Sequence, residues 1–106
     1  MREQEQHPDI CEVLQILGSK WVVLVLGELS AGPKRFKQLQ RDVAIVKTQS
    51  LTSTLRHMEH NGLVRREVFP TVPVTVEYSL TAKGSEFLEA LKGLETWVEK
   101  WTARVQ

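Results

Sequence analysis

What this chain lacks narrows the field before any motif is read. It has a single cysteine, Cys11, which excludes an internal disulfide and a zinc site built from several thiolates. Its most apolar run, Trp21–Leu29, is too short to span a bilayer and contains Gly27 and Glu28. The first residues, MREQEQHPD, have no apolar stretch of the signal-peptide kind, so a cytoplasmic location without membrane contact is expected. No glycine-rich phosphate loop, nucleophile elbow or catalytic triad is present. His57 and His60 share a helix face, but no cysteine or carboxylate pair converges on them to complete a metal site. The expectation is a protein that is not an enzyme and needs no cofactor or metal.

Net charge is also scarce, at +1, so the total argues for no polyanionic partner. The distribution says more. Residues 33–66 net +6, whereas residues 1–32 net −3 and residues 67–106 net −2. A cationic middle between anionic flanks is the pattern of one surface facing a polyanion. A solvated helix–loop face would look the same, so charge alone leaves the two readings level. The chain of 106 residues allows one domain with a modest core.

Apolar spacing organises the chain. Ile10, Val13, Leu14 and Leu17 predict a helix from Asp9, its N-cap, to Leu17, ended by Gly18-Ser19. In Lys20–Leu29, the β-branched run WVVLVL would suit a strand. Its continuation through Glu28-Leu29 to Ala31-Gly32-Pro33 instead predicts a buried helix with a stop. Phe36, Leu39 and Val43 mark a short third helix. A fourth begins at Thr48 as N-cap, turns Leu51, Leu55 and Met58 inward, and ends at Asn61-Gly62, where Gly62 suits the C′ position. Its outward face carries Gln49, Ser53, Arg56 and His60. These are side chains that reach base edges or phosphates. By itself it would pass for an ordinary amphipathic surface helix.

The next segment shifts that balance. Val64-Arg65-Arg66-Glu67-Val68-Phe69 and Val74-Thr75-Val76-Glu77-Tyr78-Ser79-Leu80 both alternate, across a turn holding Pro70 and Pro73. This predicts a hairpin with one face on the core. Arg65 and Arg66 leave the helix where both would touch phosphates, although a snorkelling surface pair would serve as well. Thr81 then caps a final helix of about 24 residues, roughly 36 Å long. On it Leu91, Leu94, Val98, Trp101 and Val105 step by three and four, with Trp97 beside them. Such a seam suits a dimer interface better than packing on the first helix.

At this point the chain resembles a known family. Gly18-Ser19-Lys20-Trp21, then Gly32-Pro33-Lys34-Arg35-Phe36, then Leu51-x3-Leu55-x2-Met58-Glu59-x2-Gly62-Leu63-Val64, then Pro73, then Glu77-Tyr78-Ser79-Leu80-Thr81-x2-Gly84 are similar to the HxlR-type transcriptional regulators, a branch of the MarR-like winged-helix proteins. The resemblance runs from about His7 to Trp101. It implies a mainly α fold with a small β-hairpin: one winged helix-turn-helix domain over residues 1–106, with 48–61 as recognition helix, 64–80 as wing, and 9–17 and 82–105 as dimerisation helices. It also implies a bacterial or archaeal homodimer on double-stranded DNA with a near-palindromic operator. Such regulators repress or activate nearby genes, and a repressor that answers to a small molecule or to oxidative or electrophile stress is expected here. The DNA-contacting set is then Lys34, Arg35, Lys37, Lys47, Thr48, Gln49, Ser50, Ser53, Thr54, Arg56, Arg65, Arg66 and Thr75. The dimer set is Leu91, Leu94, Trp97, Val98, Trp101 and Val105.

The chain departs from the family pattern at three places. His7-Pro8 stands where many members have a sensing Cys-Pro, and Cys11 follows about a turn later. A redox role for Cys11 therefore competes with a small buried helix residue. Lys47 and Gln49 replace the usual Ser and Lys of the recognition helix, which changes the expected sequence preference. Thr75 replaces a wing Arg or Lys, which lowers the wing's affinity for phosphate. A winged-helix protein-interaction module without DNA is the alternative.

Overall fold

The computed structural model describes residues 8–18 and 21–105, without the side chains of 8–10, 12, 17 and 103–105. The expected cap at Asp9 and seam position at Val105 concern side chains outside the described residues. The elements are α1 (Pro8–Leu17), α2 (Val22–Leu29), β1 (Lys34–Arg35), α3 (Phe36–Asp42), α4 (Thr48–His60), β2 (Val64–Phe69), β3 (Thr75–Leu80) and α5 (Ala82–Val105).

The run that might have been a strand is a helix because its spacing serves one face. Val22, Val25, Leu26 and Leu29 stand at i, i+3, i+4 and i+7, and all are buried. Val23 and Leu24 are exposed, so α2 is amphipathic and not buried all round as expected. Its buried face meets Leu39 and Val43 from the α3 region, Val46 from the turn, and Leu51, Leu55 and Met58 of α4. Leu63, Val64 and Tyr78 close the core from the sheet. Fully burying one such aliphatic side chain is worth about 1.5–3 kcal/mol.

Helix α4 differs from expectation at its start and agrees at its end. The N-cap is Lys47, in extended conformation, and Thr48 is the first helical residue. The Thr48 Oγ1 instead accepts a hydrogen bond of 3.0 Å from Gln40 Nε2 and ties α3 to α4. At the other end Gly62 has φ +75°. The Leu63 N–H donates to the Met58 carbonyl at 2.9 Å and the Gly62 N–H to the Glu59 carbonyl at 3.0 Å. That pair of bonds is a Schellman cap, which requires the left-handed residue glycine supplies.

The sheet contains a strand that the sequence pattern does not announce. β3 pairs with β2 in antiparallel register, Val64 opposite Leu80 and Phe69 opposite Thr75. β3 also pairs with the two-residue β1, Lys34 opposite Tyr78. The order is β1-β3-β2. The hairpin meets the core toward its base, with Val64 and Tyr78 buried and Val76 and Leu80 packed against the cluster, while Val68 and Val74 are exposed. The expected core-facing ribbon is thus correct near the helices and wrong toward the tip, which extends beyond anything able to cover it.

Thr81 caps α5: its Oγ1 accepts the Gly84 N–H at 3.0 Å and donates to the Gly62 carbonyl. The Thr81 N–H also bonds the Leu63 carbonyl at 3.0 Å. The backbones run so close here that a Cβ at Gly84 would overlap the Leu63 carbonyl. Phe87, Leu88 and Leu91 then pack on the core. Beyond them Leu94, Trp97, Val98 and Trp101 are 47–60% exposed.

A candidate nucleic-acid interface

The outward side of α4 is polar, exposed and nearly free of acid. Thr48, Gln49, Thr52, Ser53, Arg56, Glu59 and His60 are exposed and Ser50 is half-buried. Glu59 is the helix's one carboxylate. Thr54 does not belong to this face. It is 4% exposed, because with Leu51, Leu55 and Met58 it completes the i, i+3, i+4, i+7 stripe turned to the core. Its expected contact with DNA is therefore corrected to a packing role. Thr52, absent from the expected set, is exposed beside Arg56 and Arg66. Its place four residues after Thr48 was the signal that could have found it.

The cations divide into two kinds. Lys34 is a structural cation: its Nζ lies 2.8 Å from Glu28 Oε1 and 2.7 Å from Asp42 Oδ2, and its side chain is 15% exposed. Hydrogen bonds to Asp42 and then Glu28 raise its pKa above the ordinary 10.5. Lys34 therefore ties α2 to α3, and the phosphate contact expected of it is corrected. Arg35, Lys37, Arg41, Lys47, Arg56, Arg65 and Arg66 make no ion pair among the described residues.

Register separates the two arginines of β2. Arg66 stands opposite Tyr78 and Arg65 opposite Ser79, so they occupy opposite faces of the ribbon. Arg66 shares a recess with Thr52, Arg56 and Glu59 of α4. Arg65 lines a different recess, with Leu29, Ser30, Pro33 and Thr81. The two arginines therefore have different surroundings, Arg66 beside α4 and Arg65 beside the turn after α2. The Thr75 hydroxyl is taken up by the wing turn, 3.0 Å from Thr71 Oγ1, which also lies 2.7 Å from the Pro73 carbonyl. Residues 70–75 carry no charge, and the Val72–Pro73 peptide bond is cis.

Two further side chains complete the picture. Asn61 Nδ2 lies 3.4 Å from His57 Nδ1 and donates to the His57 carbonyl at 2.9 Å. His57 Nε2 is buried without a hydrogen-bond partner. Among the described residues no group of three or more His, Cys, Asp or Glu is placed to hold a metal. Cys11 is exposed on α1; the buried small residue expected there is corrected, because α1 does not turn that face to the core. Among the described residues no helix is long and apolar enough to cross a membrane.

Helix α3, a short turn and helix α4, backed by a three-stranded sheet whose hairpin projects outward, define a winged helix-turn-helix protein. The chain belongs to the HxlR-like helix-turn-helix family, which matches residues 16–106. It is 32% identical over 101 residues to the transcriptional regulator YvaP of Bacillus subtilis, covering 95% of this chain and 94% of that one. The reduced form of the B. subtilis regulator YodB superimposes with a TM-score of 0.79 at 31% identity, over 88% of this chain and 91% of that one. A MarR-family regulator from Enterococcus faecalis does so with a TM-score of 0.81 at 36% identity, over 92% and 88%. YodB has also been solved diamide-treated and quinone-bound. These relatives and fold neighbours are transcriptional regulators and not enzymes, and none supports an interaction module that leaves DNA aside.

Proposed function

We propose that this protein is a dimeric, sequence-specific repressor that lays α4 in the major groove of a near-palindromic operator. One observation carries the reading: the exposed face of α4 holds Gln49, Thr52, Ser53 and Arg56, with unpaired cations around it and Glu59 as its one acid. Gln49 and Ser53 offer donors and acceptors suited to base edges. Lys47, Arg56 and Arg66 supply phosphate contacts, which position the protein without reading sequence.

Dimerisation supplies the second half-site. Leu94, Trp97, Val98 and Trp101 of α5, with Val13 and Leu14 of α1 and Val23 and Leu24 of α2, leave a large apolar surface exposed. A second copy is its natural cover. A two-fold dimer would present its α4 helices to major grooves about 34 Å apart. The switch is a small molecule or an electrophile acting near α1 and the dimer helices. Cys11 is the chain's sole thiol and is exposed, so it is the group on which a thiol-reactive inducer would act.

The test is binding to duplexes selected by the protein from a random pool, measured across salt concentrations. The expected result is tight binding whose log affinity falls linearly with log salt. Gln49→Ala or Ser53→Ala would change the preferred bases, each good contact being worth about 1–3 kcal/mol of discrimination. Thr54→Val would leave preference unchanged. A protein that enriches no sequence and shows no salt-dependent duplex binding refutes the proposal.

A further inference from the structure

The wing carries no charge at its turn, yet unpaired cations face it. A cleft of about 660 Å³ separates α3 from the wing turn. One wall holds Arg35, Lys37 and Arg41; the other holds Pro73, Val74 and Thr75. No carboxylate lines it. Lys37 and Arg41 stand four apart on α3, so they share one face of that helix. The acid nearest in sequence, Asp42, is held by Lys34 at 2.7 Å. Glu28 is held by the same ammonium at 2.8 Å, and Glu77 stands opposite Arg35 in the register of β1 and β3. Lys37 and Arg41 thus stand in a cleft whose lining holds no acid.

Cations gathered in a cleft with no carboxylate in its lining repel one another, and an external polyanion relieves that repulsion. The cleft lies apart from the exposed face of α4, beside a hairpin that projects from the body. We propose that it seats the phosphodiester backbone of the DNA flanking the recognition groove, with Arg41 as its principal cation and the wing turn as an uncharged opposite lip. The proposal rests on the DNA-binding reading above and assigns the wing's missing charge to the facing helix. Backbone contact of this kind fixes register on the duplex and carries no base preference.

The experiment uses duplexes selected by the wild-type protein, alongside scrambled duplexes of equal length. Arg41→Ala is exposed and unpaired, so an unchanged thermal midpoint is expected and serves as the folding control. Its affinity should fall about five- to tenfold on both duplex sets, and the slope of log affinity against log salt should become shallower by about 0.9 per protomer. Arg41→Lys should keep the wild-type slope. Moving the charge across the cleft, as Arg41→Ala with Thr75→Lys, should restore slope and affinity. A structural role for Arg41 would not predict that rescue. Wild-type slope and affinity in Arg41→Ala would overturn the seat while leaving DNA binding by α4 intact, as would failure of the relocated lysine to restore either. If the wild-type protein binds no duplex at all, the DNA-binding reading falls and the seat falls with it.

Discussion

Helices α4 and α5 carry apolar stripes of the same kind of spacing, and the molecule treats them in opposite ways. On α4 the stripe of Leu51, Thr54, Leu55 and Met58 is closed off by α2, the α3 region and the base of the sheet. On α5 the stripe is covered only as far as Leu91, and Leu94, Trp97, Val98 and Trp101 remain open. Where the chain covers its own stripe, the opposite polar face is left free to meet a ligand. Where it does not, the stripe itself is the surface with work to do. Two amphipathic helices thus contribute by opposite faces.

Truncation of the two leucines is the strongest way to break this comparison. Leu55→Ala removes a side chain that is 1% exposed, and should lower stability by about 3–4 kcal/mol. That loss should be independent of protein concentration in denaturant titrations once each midpoint is extrapolated to the monomer. Leu94→Ala removes a side chain that is 56% exposed. It should leave the monomer within about 0.5 kcal/mol of wild type while weakening self-association by sedimentation equilibrium. Equal losses of monomer stability from both would show that α5 is covered by its own chain after all.

The seam between the two helices is the next target. Thr81 and Gly84 anchor the start of α5 to the Gly62-Leu63 turn that ends α4. Because the obstacle at Gly84 is the Leu63 backbone and not a movable side chain, Gly84→Ala should cost about 2–3 kcal/mol. It should also loosen α5 before α4, visible as faster amide exchange over residues 85–91 than over residues 51–58. A fully stable Gly84→Ala protein would mean that the close approach is not needed.

Much of this contrast is legible in the residues, and the illegible parts share a cause. The hairpin, the Gly62 cap, the Thr81 cap and the 24-residue tail follow from local chemistry, and the structure bears them out. β1 escapes notice because two residues have no periodicity; only the arrival of β3 makes them a strand. Lys34 resembles any surface cation until the fold brings Glu28 and Asp42, six and eight residues away, against its ammonium. Thr54 misleads in the other direction: its spacing marks it as inward, and its hydroxyl invites an outward reading. Each misreading concerns a partner distant in sequence or a side-chain type weighed above its position.

Charges repeat the contrast on a smaller scale. In the body, Lys34 is held between two acids with its side chain 15% exposed. On the tail, Lys92 lies 3.3 Å from Glu89 with side chains 61% and 71% exposed, the kind of solvated pair that contributes about 0–1 kcal/mol. The raised pKa of Lys34 gives the body's staple a pH signature. The folded state holds this proton more tightly than the unfolded chain does. Its stabilising contribution is therefore complete below pH 10.5 and is lost as pH rises through the higher folded value. The difference in thermal midpoint between wild type and Lys34→Met should be constant from neutral pH to about pH 10 and shrink above it. Lys92→Met should change stability at neutral pH by no more than about 1 kcal/mol. A Lys34→Met difference that does not change above pH 10.5 would mean that the ammonium is held by packing of its stem and not by Asp42 and Glu28.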